Sequence, residues 1–391
     1  MNHMRRRRDE AVLTAPVTVE YVRQSHQSAH WFVAQTLAKL VDASSLRKEE
    51  IDGLCLASFG LAPDTAIGLT QYVGLTVTWL DHIPLGGASG IVALRRGLRA
   101  VEAGDAQVVA CIGADTNAPD SFRHSLSNFS VFSRDAVLPY GAGGPNAGFA
   151  LLTDYYMRQW GATREDFGKL CVAQRQNALG YPHALFKKPL TLEHYLAARP
   201  IAPPIHLLDC VMPCAGAEGF LIMTRRRAKR LGLPYVRVLA SSERHNAFPD
   251  DALQFRGGWL HDNDRLYGEA GIEPKDVSFV QTYDDYPVMS FIQLEDLNFC
   301  AKGEAPELIR RHDLTSAGNF PINTCGGQLS VGQAGCAGGF LGLVEAVRQL
   351  TSRNLATPVT NARFGLVVGY GMIVFDRGLC SGAAILARAG A

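Results

Sequence analysis

Two glycine-rich loops in this chain each run straight into an amphipathic segment. The first, Gly86-Gly87-Ala88-Ser89-Gly90, precedes residues 91–104, where Val92, Leu94, Leu98 and Val101 fall on roughly one side of a helix. The second, Gly335-Cys336-Ala337-Gly338-Gly339, precedes an equally apolar stretch at 340–350. Glycines before a helix let the chain turn tightly and approach a neighbour closely. Two such units at corresponding places point to an internally duplicated α/β unit.

The surrounding pattern agrees. Residues 30–41 carry Phe32, Val33, Leu37, Leu40 and Val41 at helical spacing and lead into an apolar strand at 51–59. Residues 64–74 read as a short helix with Asp64 at its N-cap, and 89–104 as a longer one. Residues 108–113 are apolar throughout, as in a strand covered on both faces. Further strands are expected at 220–224, 235–241, 276–280, 366–374 and 383–387, with helices at 288–297 and 341–350. Alternation of this kind predicts an α/β protein with a mainly parallel sheet. The expected division is a disordered basic tail at 1–10, a first half at 11–234 and a second at 235–391. Within the first half, 155–208 reads as a loop or lid excursion, since 180–204 alone holds five prolines.

Composition narrows the function classes. With 391 residues, 47% of them hydrophobic, the chain can bury a large core. Its 38 basic and 37 acidic side chains leave no field to hold a polyanion, so nucleic acid is not an expected partner. The Arg5–Arg8 run is followed by Asp9 and Glu10 rather than by an apolar segment, which is not the pattern of a signal peptide. The longest nearly apolar run, 364–375, contains three glycines and is shorter than the roughly 20 residues that span a bilayer. A soluble, cytoplasmic protein without a membrane span is expected. The nine scattered cysteines fit free-thiol usage. Cys210 and Cys214 have no second close pair to complete a zinc site, and no metal is expected.

The first glycine loop, together with 141–150, 154–167, 187–204, 208–219, 295–304 and 323–350, follows the order of one known family. On these segments the chain resembles the thiolase superfamily, in the branch of sterol carrier protein and its lipid-transfer relatives. The resemblance implies a thiolase-like fold, with duplicated α/β halves in a five-layered α-β-α-β-α arrangement, as a homodimer. It also implies acyl-CoA thioesters as substrates, with coenzyme A entering as part of the substrate and no tightly bound cofactor. Members of this branch often work with a small partner protein that joins a zinc ribbon to an OB-fold.

The same resemblance locates a site, and this sequence departs from the family there. The nucleophilic cysteine's position is Gly87, which offers no side chain to attack a thioester. The activating histidine's position is Gln333, which exchanges hydrogen bonds but does not shuttle protons near neutrality. Its role is either to orient a carbonyl or to satisfy the loop backbone. A His-Asp-Cys-Phe motif of the branch corresponds to Tyr283-Asp284-Asp285-Tyr286. Tyr283 thus takes the oxyanion-donor position and Asp285 the acid/base position, with a similar tyrosine in the steroid side-chain aldolases of the superfamily. Retro-aldol cleavage needs a base for the β-hydroxyl proton and donors for the enolate, not a covalent nucleophile. Asp285, or a water held by Asp284, is a candidate base. The alternative for the aspartate pair is to cap the helix at 288–297.

Around this trio, Ser89, Asn323, Cys325, Gly332 and His245 are candidate substrate-binding residues, with Ser89 also a candidate helix cap. Lys187 and Lys188 are candidate partners for the coenzyme A phosphates. Cys380 reads as a buried structural thiol. Three functions follow: an acyl-CoA lyase of aldolase type with Tyr283 as donor, a thiolase using a displaced cysteine such as Cys325 or Cys336, and a non-catalytic acyl-CoA or lipid carrier or scaffold.

Overall fold

Two runs of strands with the same internal order build one sheet. The computed structural model describes residues 10–117, 130–142, 144–375 and 377–391, so the expected tail lies outside the described residues apart from Glu10. The strands are β1 Ala11–Val22, β2 Gly53–Ala57, β3 Trp79–His82, β4 Val108–Asp115, β5 Pro200–Ala202, β6 Ile205–His206, β7 Ala215–Thr224, β8 Tyr235–His245, β9 Phe279–Gln281, β10 Phe364–Val374 and β11 Arg377–Arg388. Nine of them pair in the order β3-β2-β4-β7-β1-β8-β11-β10-β9, and β5 pairs with β6 alone.

In the first half β2 and β4 are parallel, while β4–β7 and β7–β1 are antiparallel. In the second half β9 and β10 are parallel, while β10–β11 and β11–β8 are antiparallel. The series β1, β2, β4, β7 is therefore repeated as β8, β9, β10, β11. Even β3 has a remnant counterpart in the parallel bridge between Val280 and Ile322. A three-residue antiparallel contact between Val12–Thr14 and Tyr235–Arg237 joins the two half-sheets.

Between them run the helices Ser89–Ala103 and Gly338–Thr351, each the last element before its half's β4 or β10. Their apolar side chains, among them Ile91, Leu94, Phe340, Val344 and Val347, share a core with Phe220, Ile222, Val367 and Leu386 from strands of both half-sheets. The pair touches where Gly90 meets Gly339, and a Cβ on Gly90 would run into the Gly339 carbonyl. Glycine there permits the close crossing. Helix Ala29–Ser44 covers the outer face of the first half-sheet, and helices Trp259–Ala270 and Pro287–Asp296 that of the second. The α-β-α-β-α layering follows.

The sheet is not mainly parallel as expected, since five of its eight strand pairings are antiparallel, and several local expectations change as well. Strand β1 is not evident from the sequence pattern: Pro16 argues against a central strand, yet it sits at a bulge between Thr14 and Val17, where the register with β7 slips and Ala15 takes φ 51°. Asp64 does not cap its helix, which spans Ala66–Val73 with Thr65 at the N-cap, and instead meets His30 at 3.1 Å. Residues 155–208 are not an irregular excursion. They hold part of helix Pro145–Trp160 and the whole of helix Arg164–Leu179, whose Phe149, Tyr156, Phe167 and Leu170 pack into the core of the second half with Phe291 and Leu294. Pro145 in the first turn and a Thr163/Asp166 capping box start these helices. Among the described residues no helix is long and apolar enough to cross a membrane.

Candidate active site

Parallel strands of an α/β sheet gather functional groups in the loops beyond their C-terminal ends. Tyr283 lies in such a loop, two residues past β9. Its phenol is buried, 6% exposed, and its ring occupies the space that a side chain at Gly87 would need: a Cβ built on Gly87 collides with the Tyr283 ring and with the Tyr370 carbonyl. Gln333 completes the group by donating from Nε2 to the Tyr283 hydroxyl at 3.0 Å. Its backbone is tied at both polar atoms to the neighbouring chain, N–H to the Met212 carbonyl at 2.8 Å and carbonyl to the Cys214 N–H at 3.0 Å. Three positions far apart in sequence thus meet at one point.

Burial, reinforced by the nearby Asp285 charge, pushes the Tyr283 phenol well above its ordinary range, with the Gln333 hydrogen bond acting in opposition. The group stays protonated. Because its oxygen accepts from Gln333, its own O–H is left to donate to a developing oxyanion. The Asp285 carboxyl is likewise raised well above the usual carboxylate range, first by burial and then by Asp284, while the Tyr286 N–H, which donates to Asp285 Oδ1 at 3.1 Å, works the other way. A buried carboxyl with raised proton affinity is suited to take up and return a proton.

Asp284 has a different task. It accepts from Gln328 N–H at 2.9 Å and Leu329 N–H at 3.2 Å, and so caps the short helix Gly327–Val331 that precedes the second glycine loop. Burial raises its pKa to about 6 against those backbone hydrogen bonds. Each of its oxygens thus holds one backbone N–H of that helix start. Nor does the pair cap the following helix: Tyr286 is the N-cap of Pro287–Asp296, and no side chain caps it.

The remaining candidates divide. Asn323, at φ 48°, donates to Thr282 Oγ1 at 3.0 Å, and with Cys325, Gly327 and Gln328 it lines a narrow cleft beside Tyr283 and Asp284. Gly332, beside Gln333, packs against Cys214 and Leu185. Ser89 is not the N-cap: it accepts from Leu85 N–H and donates to the Ile83 carbonyl, both at 2.9 Å, and so fixes the turn that carries Gly87. His245 is half exposed at the end of β8, where its Nε2 lies 2.9 Å from Glu243 and its backbone pairs with Cys380. Lys187 and Lys188 are both exposed, and Lys187 donates to the carbonyls of Tyr181 and Pro182. Cys325 and Cys336 are buried and their thiols are pushed well up, chiefly by desolvation, so neither has the character of a nucleophile. Among the described residues no group of three or more His, Cys, Asp or Glu is placed to hold a metal.

One contributor is not singled out by the sequence motifs. Asp115 accepts from Ser58 Oγ, Phe59 N–H and Gly60 N–H through one oxygen and from Cys336 N–H through the other, stapling the β2 turn to the second glycine loop. Its signal is an acid closing an otherwise apolar strand.

The sequence matches the family described as thiolase C-terminal domain-like over residues 258–383. It is 29% identical over 362 residues to the steroid side-chain-cleaving aldolase of Thermomonospora curvata, covering 88% of this chain and 91% of that one. It is also 29% identical over 379 residues to the 17-hydroxy-3-oxo-4-pregnene-20-carboxyl-CoA lyase of Mycobacterium tuberculosis, covering 92% and 95%. These matches support a place in the thiolase superfamily. The chain is also similar to sterol carrier protein 2. In fold it is similar to the solved Ltp2-ChsH2(DUF35) aldolase, with a TM-score of 0.79 at 24% identity over 98% of this chain and 99% of that one.

Proposed function

We propose that this protein makes or breaks a carbon-carbon bond in a β-hydroxyacyl-CoA thioester by aldol chemistry, without a covalent acyl-enzyme. The observation that carries the reading is the Tyr283 ring lodged in the space of the missing Gly87 side chain, with Gln333 on its hydroxyl. In the cleavage direction Asp285 takes the β-hydroxyl proton, the Cα–Cβ bond breaks to release an aldehyde or ketone, and the electron pair moves onto the thioester as an enolate. Tyr283 O–H stabilises the enolate oxygen. Asp285 then returns its proton to Cα, which leaves a shortened acyl-CoA and the starting enzyme. The names of the two relatives, an aldolase and a CoA lyase, support this reading.

Asn323 and Gly332 border the thioester in this proposal, and of the two exposed lysines Lys188 is the one assigned to a phosphate, Lys187 being engaged with backbone carbonyls. A homodimer and a zinc-ribbon/OB-fold partner belong to the same proposal, the latter supported by the second component, ChsH2(DUF35), of the solved aldolase. Nine free cysteines favour a reducing, cytoplasmic setting. The test is product analysis with a panel of β-hydroxyacyl-CoA thioesters, with the candidate partner added. Release of a carbonyl product together with the shortened acyl-CoA is expected, and its absence throughout the panel contradicts the proposal.

A further inference from the structure

Strand β9 ends at Gln281, whose ladder partner on β10 is Val367, so the sheet no longer holds the backbone when the chain reaches Tyr283. One side chain takes over. Gln293, fully buried on the helix Pro287–Asp296, accepts from Tyr283 N–H through Oε1 at 2.8 Å and donates from Nε2 to the Tyr283 carbonyl at 2.9 Å. Its amide engages both polar groups of this residue's backbone as a neighbouring strand would. One turn earlier on the same helix, Ser290 Oγ lies 2.8 Å from Thr282 Oγ1. The helix therefore grips two successive residues, and its second grip falls on the residue whose ring must lie over Gly87.

We propose that Gln293 is a positioning residue that aims the Tyr283 phenol at the reacting oxygen; this rests on the reading of Tyr283 as the enolate donor. The chemistry is specific to a primary amide. A carboxylate would keep the bond to Tyr283 N–H but set lone pairs against the Tyr283 carbonyl, and an aliphatic side chain would leave two buried backbone groups without partners. Freed from this clamp, the peptide can rotate, and a displacement of about 1 Å at a catalytic donor costs up to about 100-fold in rate.

The experiment pairs a kinetic with a spectroscopic readout on the full chain, the proposed partner included. Gln293→Leu and the near-isosteric Gln293→Glu are measured alone and in the Tyr283→Phe background, and 3-fluorotyrosine placed at position 283 reports its surroundings by fluorine NMR. The expected result is a kcat lowered about 10- to 100-fold by Gln293→Leu, less by Gln293→Glu, with KM little changed. In the Tyr283→Phe background the same substitutions cost less than about 2-fold, because Gln293 acts only through the phenol. The fluorine resonance shifts or broadens in both variants. Equal losses with and without the phenol, or an unmoved resonance, overturn the proposal. If the resonance moves while Tyr283→Phe turns over at the wild-type rate, the clamp stands and the lyase reading of Tyr283 fails.

Discussion

The two glycine loops are the same device used for different ends. Both lead into central helices that cross at Gly90 and Gly339, and both lie at the inner seam between the half-sheets. In the first half the loop contributes space: Gly87 presents only backbone, and Ser89 is spent on fixing the turn. In the second half the residue two before the loop contributes a group, Gln333, held by Met212 and Cys214 on its backbone and directed onto Tyr283. An open volume at a helix start has been filled from the opposite half by a strand-end tyrosine. A side chain at 87 and the ring of Tyr283 compete for the same volume, so one excludes the other.

The contrast between a loop that gives space and a loop that gives groups can be attacked residue by residue. The largest effect is expected for Asp285→Asn, which removes the proposed proton carrier and should lower kcat about 10²- to 10⁴-fold. The wild-type rate should climb as pH rises through the raised pKa of Asp285, since the protonated acid cannot accept the substrate proton, and this limb should vanish in the variant. Tyr283→Phe should follow with a loss of about 10²- to 10³-fold in kcat, a donor to the oxyanion having been removed, and with little change in KM. Gly87→Ala should displace the Tyr283 ring and cut turnover by about 10- to 100-fold. Gly90→Ala, one turn away at the helix crossing, should instead cost about 1–3 kcal/mol in urea unfolding and leave the pH-rate profile in place. Equal kinetic defects in the two alanine variants would erase the distinction drawn between these neighbouring glycines.

The smallest effect belongs to the scaffold. Glu218 in β7 is fully buried, accepts from Thr18 Oγ1 at 2.6 Å, and has a pKa raised to about 8 by desolvation, with the Arg348 charge opposing. A folded-state pKa above the unfolded one contributes stability below about pH 4.5 that is lost as pH rises through about 8. Glu218→Gln imitates the protonated form, so it should match wild type in melting temperature near pH 5 and exceed it at pH 9. A constant difference across that range would contradict the assignment.

Much of the fold was legible because its signals are local. The helices at 30–41, 89–104 and 341–350 show an apolar side at helical spacing, and the two glycine loops mark the repeat directly. Where two local signals conflicted, the stronger one misled. The glycines and prolines around 140–204 hid two helices whose starts are nevertheless encoded by Pro145 and by the Thr163/Asp166 box. At the site, motif order marked positions 87, 283 and 333. It gave no access to the contact of the Tyr283 ring with Gly87, which joins residues in opposite halves and is decided only when the central helices pack. The fate of the Asp284-Asp285 pair was equally hidden, since sequence shows two adjacent acids and not that one is committed to the backbone of Gln328 and Leu329.

The central claim is that carbon-carbon chemistry proceeds here with Tyr283 in place of a covalent nucleophile. It is tested most directly by mixing the protein and its partner with a radiolabelled β-hydroxyacyl-CoA, quenching in acid during turnover, and measuring intact protein mass alongside product. The expected result is carbonyl product with an unmodified protein mass. A thioester-sized mass increase and label on Cys325 or Cys336 during turnover would contradict it.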